Sequence, residues 1–426
     1  MSNERSGFSS RLGFVLATAG SAVGLGNIWR FPYLAAKYGG GTFLLTYLIL
    51  TLTFGFSLMI TEVALGRKAG TSAIRAFGHF SKKHTFIGYL TTIIPFIIFP
   101  YYCVIGGWVT KYALISLQGG IHNAASDTFF TGFISKSAEP MICVLVFLIA
   151  TTVVVAGGVK GGVERVSTIM MPVLIVLLIG VSLFCITRPG AMAGVAYYLK
   201  PSLKGFGPTT ILAALGQLFY SMSLAMGIMI TFGSYMPKKA DLEKSVTQVE
   251  IFDTGVAFLA GLMIVPAVFV FSNGDSSMLA KGPSLMFVML PKVFNSMAFS
   301  SVIAAVFFIL VLLAALTSSI SLLETLVAVL MDKFHMKRGT ACITMFIIAL
   351  LLAVPSSLGF GAWSNITILG FDFLDFFDFI SNSVLMPIAA FLTCLFVGYI
   401  IKPKVIVDEV ESSGEFKRKS DRKSVV

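Results

Sequence analysis

Apolar windows follow one another along almost the whole chain, and polar breakers divide them into ten stretches: residues 11–37, 41–66, 86–117, 138–157, 165–187, 208–236, 244–272, 295–332, 338–356 and 366–401. A hydrocarbon core of roughly 30 Å takes about 20 residues of helix to cross, so each stretch can serve as one crossing. Backbone polar groups have no solvent partner in lipid, which limits spanning segments to helices or closed barrels. The long continuous apolar runs predict helices. The pattern predicts an all-α membrane protein with about ten transmembrane helices.

Two stretches are irregular where a membrane helix should be most regular. The first carries Gly20-Ser21-Ala22-Val23-Gly24-Leu25-Gly26-Asn27, and the sixth carries Ser221-Met222-Ser223-Leu224-Ala225-Met226-Gly227. Glycine weakens a helix and frees backbone groups. Small residues also serve close helix packing, a sufficient account of either break alone. Two breaks five spans apart call for more, because an odd number of crossings inserts the second set of five upside down. That is the five-plus-five inverted-repeat transporter fold, with discontinuous helices 1 and 6 aiming dipole ends and bare carbonyls at substrate and ion. The expected organisation is a cytoplasmic segment 1–10, a first repeat 11–187, a second repeat 208–401 and a basic cytoplasmic tail 402–426.

Composition agrees: 56% of the 426 residues are hydrophobic and 12% charged, with mean hydropathy +0.90, outside the range of soluble domains. No cleavage site follows a short apolar core near the start, so the first helix is expected to stay. The net charge of +11 reports topology, since its Lys and Arg cluster in alternate loops. Arg67, Lys68, Arg75, Lys82 and Lys83 lie between spans two and three, and Lys160, Arg165, Lys238, Lys239, Lys333, Lys337 and Arg338 in later loops of the same side. This places the amino terminus inside. No folded basic module points to nucleic acid. The tail's run Lys417, Arg418, Lys419, Arg422 and Lys423 reads as disordered and solvated, with contact to anionic headgroups as the competing reading. The five cysteines fall in apolar segments without metal-type spacing, and the four histidines sit in loops or at span ends without a nucleophile–base motif, so the chain is not expected to be an enzyme.

The remaining polar residues carry the chemistry. Thr317 and Ser318 set hydroxyls one turn from the Ala314 carbonyl, an oxygen set suited to a small hard cation, although such hydroxyls often bond back to their own helix. Asp253, with no Lys or Arg within a turn, marks an ion path or a protonated structural acid. Glu62 and Glu324 suit acceptance of amides from a broken helix. Arg5, Ser234, Tyr235 and Asp332 suit an inner latch, and Arg30 with Asp375 or Asp378 an outer one, against interfacial snorkelling. Gly162 and Pro172 bracket a segment of the fifth span able to unwind.

From about residue 5 to 400 the sequence resembles the neurotransmitter:sodium symporter family, its bacterial amino-acid transporter branch in particular. The resemblance rests on Arg11-Leu12-Gly13, the run from Ala22 to Asn27 with Trp29-Arg30-Phe31-Pro32-Tyr33, Gly39-Gly40-Gly41, Lys160-Gly161-Gly162-Val163-Glu164-Arg165, Gly216-Gln217 and Ala315-Leu316-Thr317-Ser318-Ser319, in that order. It implies sodium-coupled uptake of a small hydrophobic or aromatic amino acid, with two sodium ions. One would be held by the Ala22 carbonyl, Asn27, Ser221, Asp253 and the substrate carboxylate. The other would be held by the carbonyls of Gly20, Val23 and Ala314 with the hydroxyls of Thr317 and Ser318. The substrate carboxylate would meet the amides of Leu25 and Gly26 and the Tyr102 hydroxyl. Its ammonium would meet the carbonyls of Ala22, Tyr220 and Ser221 and the Ser223 hydroxyl. Ile98, Met226 and Leu322, beside Ser318, would line the side-chain pocket, with Tyr220 as an aromatic lid.

Three departures modify that expectation. Asp253 stands where many relatives carry Asn and need chloride, which implies no chloride requirement. Phe8 replaces a Trp of the inner gate. The chain has about ten spans where relatives usually have eleven or twelve. A non-transporting amino-acid receptor on the same scaffold is the alternative function. A short second external loop without glycosylation sequons suggests a bacterial inner membrane.

Overall fold

A computed structural model describes residues 7–202, 206–272 and 285–413. Among these residues the chain is helical, with one isolated β-bridge at Ile368 and Phe371. Eight helices are long and apolar enough to cross a membrane, and a bent pair, α1 (Arg11–Ala22) and α2 (Gly26–Lys37), makes a ninth span. The eight are α3 (Gly41–Ala69), α5 (Lys82–Leu117), α6 (Ala138–Ala156), α7 (Val159–Ile186), α10 (Leu242–Phe271), α11 (Ser300–Phe334), α12 (Arg338–Leu358) and α13 (Phe373–Ile401). Between α7 and α10 lies a second interrupted pair, α8 (Pro208–Ser221) and α9 (Ile228–Tyr235). Counting it gives the ten spans that the hydropathy pattern predicts, with the interruptions in the first and sixth.

Local chemistry sets the helix ends. Ser10 accepts the Gly13 amide at 3.0 Å to start α1, and Asp241 accepts the Lys244 amide at 2.9 Å to start α10; each satisfies an amide with no intrahelical partner. Helix α3 ends on Gly70, whose φ of +65° is the left-handed region open to glycine. A short helix, α4 (Ala73–Phe80), then carries the chain to α5.

The first broken span sits in the middle of the bundle, packed against α7, α10 and α11. Helices α3 and α9 meet backbone to backbone: a Cβ on Gly66 would land on the Ile230 carbonyl oxygen, and one on Gly233 on that of Val63. Association within lipid relies on such close approach. The segment between Gly162 and Pro172 is helical, beginning with a wide π-type turn over Val159–Glu164, so the expected unwinding is not present in this conformation.

The tail departs from expectation. The sequence suggested disorder from Lys402 onward, yet Lys404–Glu411 forms helix α14. Arg67 at the end of α3 is fully buried and bonds Glu409 Oε1 at 2.8 Å, the Glu409 carbonyl and the Ala240 carbonyl at 2.9 Å. Lys238 donates to the Arg67 carbonyl at 2.5 Å. A buried guanidinium needs such partners, and Ile406 adds a fully buried apolar anchor. Composition alone hid this, because the partner lies about 340 residues away. The basic run from Lys417 to Lys423 lies outside the described residues.

Candidate functional site

Helix α1 stops where Val23 turns to extended backbone (φ −73°, ψ 102°), and the chain resumes as α2 bent by 51°. The amides of Leu25 and Gly26 head the second half and so have no carbonyl one turn back. In the sixth span the break runs from Met222 to Gly227, with Ser223 (φ +54°), Ala225 (+61°) and Gly227 (+71°) left-handed. Such conformations at Ser and Ala cost about 1–3 kcal/mol each and persist only where surroundings impose them. Glu62 supplies part of that constraint, accepting the Ala225 amide at 2.9 Å from α3, which is the structural role the sequence suggested. Glu324 differs from expectation: it takes the Tyr235 hydroxyl at 2.7 Å and pairs with Arg338 at 2.6 and 2.8 Å. Arg338, at a loop-side helix start, supplies charge that an amide would not.

The two breaks face one polar cluster. Asp253 is fully buried and accepts from Asn27 Nδ2 at 2.7 Å, from the Ser221 hydroxyl at 2.9 Å and from the Tyr47 hydroxyl at 3.2 Å. Every one of these donors is neutral. No basic side chain among the described residues pairs with Asp253, so its charge needs a cation or a proton beside it. Asn27 also sends Nδ2 to Ser221 Oγ at 3.0 Å, while its Oδ1 takes the Gly24 amide at 3.0 Å. The carboxamide thus shows nitrogen, not oxygen, to the acid.

A second oxygen cluster joins α1 to α11. Ser318 Oγ lies 3.0 Å from the Ser21 carbonyl, 3.3 Å from that of Val23 and 3.5 Å from that of Gly20. Thr317 Oγ1 lies 3.0 Å from the Ala314 carbonyl and 3.5 Å from that of Val23. Neutral oxygens converging from two helices suit a hard monovalent or divalent cation far better than a soft metal. Gly20, Val23, Ala314, Thr317 and Ser318 are therefore neighbours, and the Ser21 carbonyl joins them.

Beside the clusters lies a cavity of about 30 Å³ lined by Ala22, Leu25 and Gly26 from the first break and by Tyr220, Ser223 and Met226 from the second. Ile98, Ile228 and Leu322 form its apolar wall, and Tyr102 and Ser318 its polar side. Among the described residues the buried Tyr102 hydroxyl has no hydrogen-bond partner, and as a cavity-lining donor it suits an anionic group. Glycine is required at its floor: a Cβ on Gly24 would land on Ser318 Oγ and lie 3.2 Å from the Tyr102 hydroxyl, and one on Gly26 would lie 2.8 Å from the Tyr220 ring. Ser221 does not line the cavity; its hydroxyl is turned to Asp253.

The gates are less simply arranged than the sequence suggested. Arg30 stands 5.1 Å from the Tyr220 ring centroid and forms no ion pair with Asp375 or Asp378. Asp378 instead takes Asn382 Nδ2 at 2.6 Å and the Tyr101 hydroxyl at 3.3 Å, and the Asp375 amide caps on Asp372 at 2.8 Å. At the opposite end, Asp332 Oδ2 takes the Ser72 amide at 2.7 Å, while Arg5 lies outside the described residues. Phe8 is buried, edge-on to Phe14, Phe232 and Tyr235, with its amide on the Tyr235 carbonyl at 3.0 Å. Ser9 holds Glu164 at 2.8 Å through its amide. This end of the bundle is closed by packing.

Sequence reasoning passed over Tyr47 and assigned no role to Ser21 or to Gln217, whose Nε2 donates to the Gly26 carbonyl at 2.9 Å. Tyr47 had a signal, a hydroxyl in the middle of an apolar stretch; the Ser21 carbonyl had none, since any residue supplies one.

Residues 5–133 and 131–420 match the Sodium:neurotransmitter symporter family. An uncharacterised sodium-dependent transporter of Bacillus subtilis is 36% identical over 410 residues, covering 95% of this chain and 90% of the relative. An uncharacterised sodium-dependent transporter of Methanocaldococcus jannaschii is 33% identical over 430 residues, covering 97% and 86%. Among solved structures, MhsT in complex with L-phenylalanine superposes with a TM-score of 0.88 at 39% identity, covering 96% of this chain and 93% of that one.

Proposed function

The chain belongs to the sodium:neurotransmitter symporter family, and from that premise we propose that it carries a hydrophobic or aromatic amino acid inward across a bacterial cytoplasmic membrane by alternating access, driven by two sodium ions. The observation carrying this reading is the meeting, at two helix breaks, of a buried unpaired carboxylate, a ring of neutral oxygens and an apolar cavity with an orphan phenol.

In this reading one sodium joins Asp253, Ser221, Asn27 and the Ala22 carbonyl, together with the substrate carboxylate. Asn27 then turns its amide over, giving up the Gly24 amide and presenting oxygen to the ion. The second sodium sits among the Gly20, Val23 and Ala314 carbonyls and the Thr317 and Ser318 hydroxyls. The carboxylate takes the orphan Tyr102 hydroxyl and the Leu25 and Gly26 amides, whose half-helix end favours negative charge. The ammonium takes the Ala22, Tyr220 and Ser221 carbonyls and the Ser223 hydroxyl. The side chain packs on Ile98, Met226 and Leu322. Because Asp253 brings a fixed negative charge, chloride is not needed.

Sodium binding the outward-facing form more tightly than the inward-facing one supplies the direction. Residues 11–187 and 208–401 act as the two repeats. Arg30 closes toward Asp375 or Asp378 outside, and Arg5, Tyr235 and Asp332 hold the inner end, with the amino terminus in the cytoplasm. The direct test is uptake of labelled phenylalanine and leucine into proteoliposomes under an inward sodium gradient. Uptake that persists at full rate with potassium replacing sodium overturns the coupling; binding without flux overturns transport in favour of a receptor.

A further inference from the structure

A second cavity, of about 320 Å³, opens at the end of the bundle that the charge asymmetry places in the cytoplasm. Helix α4, the start of α5 and the end of α11 enclose it, and it shares no residue with the central cavity. Its lining carries Arg75 and His79 on successive turns of α4, Lys333 from α11, and the hydroxyls of Thr71 and Thr85, with no acid among them.

The donors there are underused. Arg75 spends one N–H on the Asp332 carbonyl at 3.1 Å, and a guanidinium has five. Lys333 Nζ lies 5.5 Å over the Tyr89 ring and forms no ion pair among the described residues. The Thr71 hydroxyl is buried without a partner among the described residues, a cost that an oxygen-rich guest removes. Converging cationic donors with a spare hydroxyl suit a phosphate, which Arg and Lys bind by charge-assisted hydrogen bonds.

What lies beside the cavity distinguishes its source. Thr85 begins a stripe of exposed apolar side chains at helical spacing on α5: Phe86 (51% exposed), Tyr89 (47%) and Ile93 (47%). Phe334, next to Lys333, is 64% exposed. Free phosphate gains nothing from this stripe, whereas a phospholipid lays its acyl chains along it. Basic pockets between helices on the cytoplasmic side suit anionic headgroups.

We propose that this cavity seats the phosphate headgroup of one anionic phospholipid, held by Arg75, His79 and Lys333, with its acyl chains along Phe86, Tyr89 and Ile93. Since Arg75 also holds the Asp332 carbonyl, an occupied seat ties α4 to the end of α11.

The test uses the full chain reconstituted in phosphatidylcholine with phosphatidylglycerol, then extracted into detergent, with retained lipid counted by native mass spectrometry. The variant Arg75→Gln/His79→Gln/Lys333→Gln is compared with Lys82→Gln/Lys83→Gln, which removes two charges of the same loop outside the cavity. Retained phosphatidylglycerol is expected to fall at least about tenfold in the triple variant and to hold in the loop variant. Equal retention in both overturns the proposal. Lys333→Gln alone, a change at an exposed side chain, is expected to lower retention about threefold and keeps the idea testable if the triple variant does not fold; no change in it counts against the seat. Titration with inorganic phosphate is the second arm. Saturable, Arg75-dependent phosphate binding with no retained lipid overturns the lipid as the guest.

Discussion

Asp253→Asn isolates the charge at the centre of the site. The substitution keeps shape, and the Asn27 contact at 2.7 Å can pass to the new carbonyl. The Ser221 and Tyr47 hydroxyls, now donating at 2.9 and 3.2 Å, can rotate to accept, because a hydroxyl serves either way. What disappears is a full negative charge in a fully buried position. Two unit charges about 4 Å apart at an effective dielectric constant of about 20 interact by about 4 kcal/mol. Part of that is offset because the native carboxylate must itself be desolvated. A net loss of about 3 kcal/mol corresponds to roughly a hundredfold rise in the sodium concentration that half-saturates binding. The assay is scintillation-proximity binding of labelled phenylalanine titrated with sodium in chloride-free buffer, then repeated with chloride. The variant is expected to need about a hundredfold more sodium and to regain part of the loss when chloride is added. A sodium midpoint equal to that of the native protein, with substrate still bound, would refute the placement of an ion beside this residue.

Other substitutions test separate pieces. Gly24→Ala drives a methyl into Ser318 Oγ and toward the Tyr102 hydroxyl; phenylalanine binding should vanish in the same assay while detergent elution stays monodisperse. Tyr102→Phe removes the orphan donor, and a hydrogen bond to a charged group is worth about 1.5–3 kcal/mol, so half-saturation for substrate should rise about tenfold to a hundredfold at saturating sodium. Arg338→Ala leaves Glu324 buried beside Tyr235 alone. Breaking a buried pair costs about 3–5 kcal/mol, and adding Glu324→Gln should restore most of the lost thermal midpoint.

Much of the fold was legible because lipid simplifies the code. Ten apolar stretches and two glycine- or serine-rich interruptions sufficed for the span order, as no soluble-domain alternative survives 56% hydrophobic residues. The site was legible where chemistry is rare in a membrane: Asp253, Thr317 and Ser318 stand out as polar groups within apolar helices, and the structure brings each beside one of the breaks. Pairings set by rotamer or by distant packing were not. Nothing in the sequence tells that Arg30 rests on Tyr220, that Glu324 pairs with Arg338 fourteen positions on, or that a charged tail segment docks on Arg67. Each of these depends on which of several reachable partners the folded packing brings nearest.

The backbone contact at Gly66 and Gly233 sets how the molecule can be worked. At those two positions no side chain lies between the helices, and a shift of one by even a fraction of a turn would drive backbone into backbone. That contact couples α9 to α3, and the clasp of Lys238, Arg67 and Glu409 lies at the end of the same pair of helices. Any gate that opens a path to that side has to part elsewhere, where flexible side chains fill the seam and can repack at modest cost.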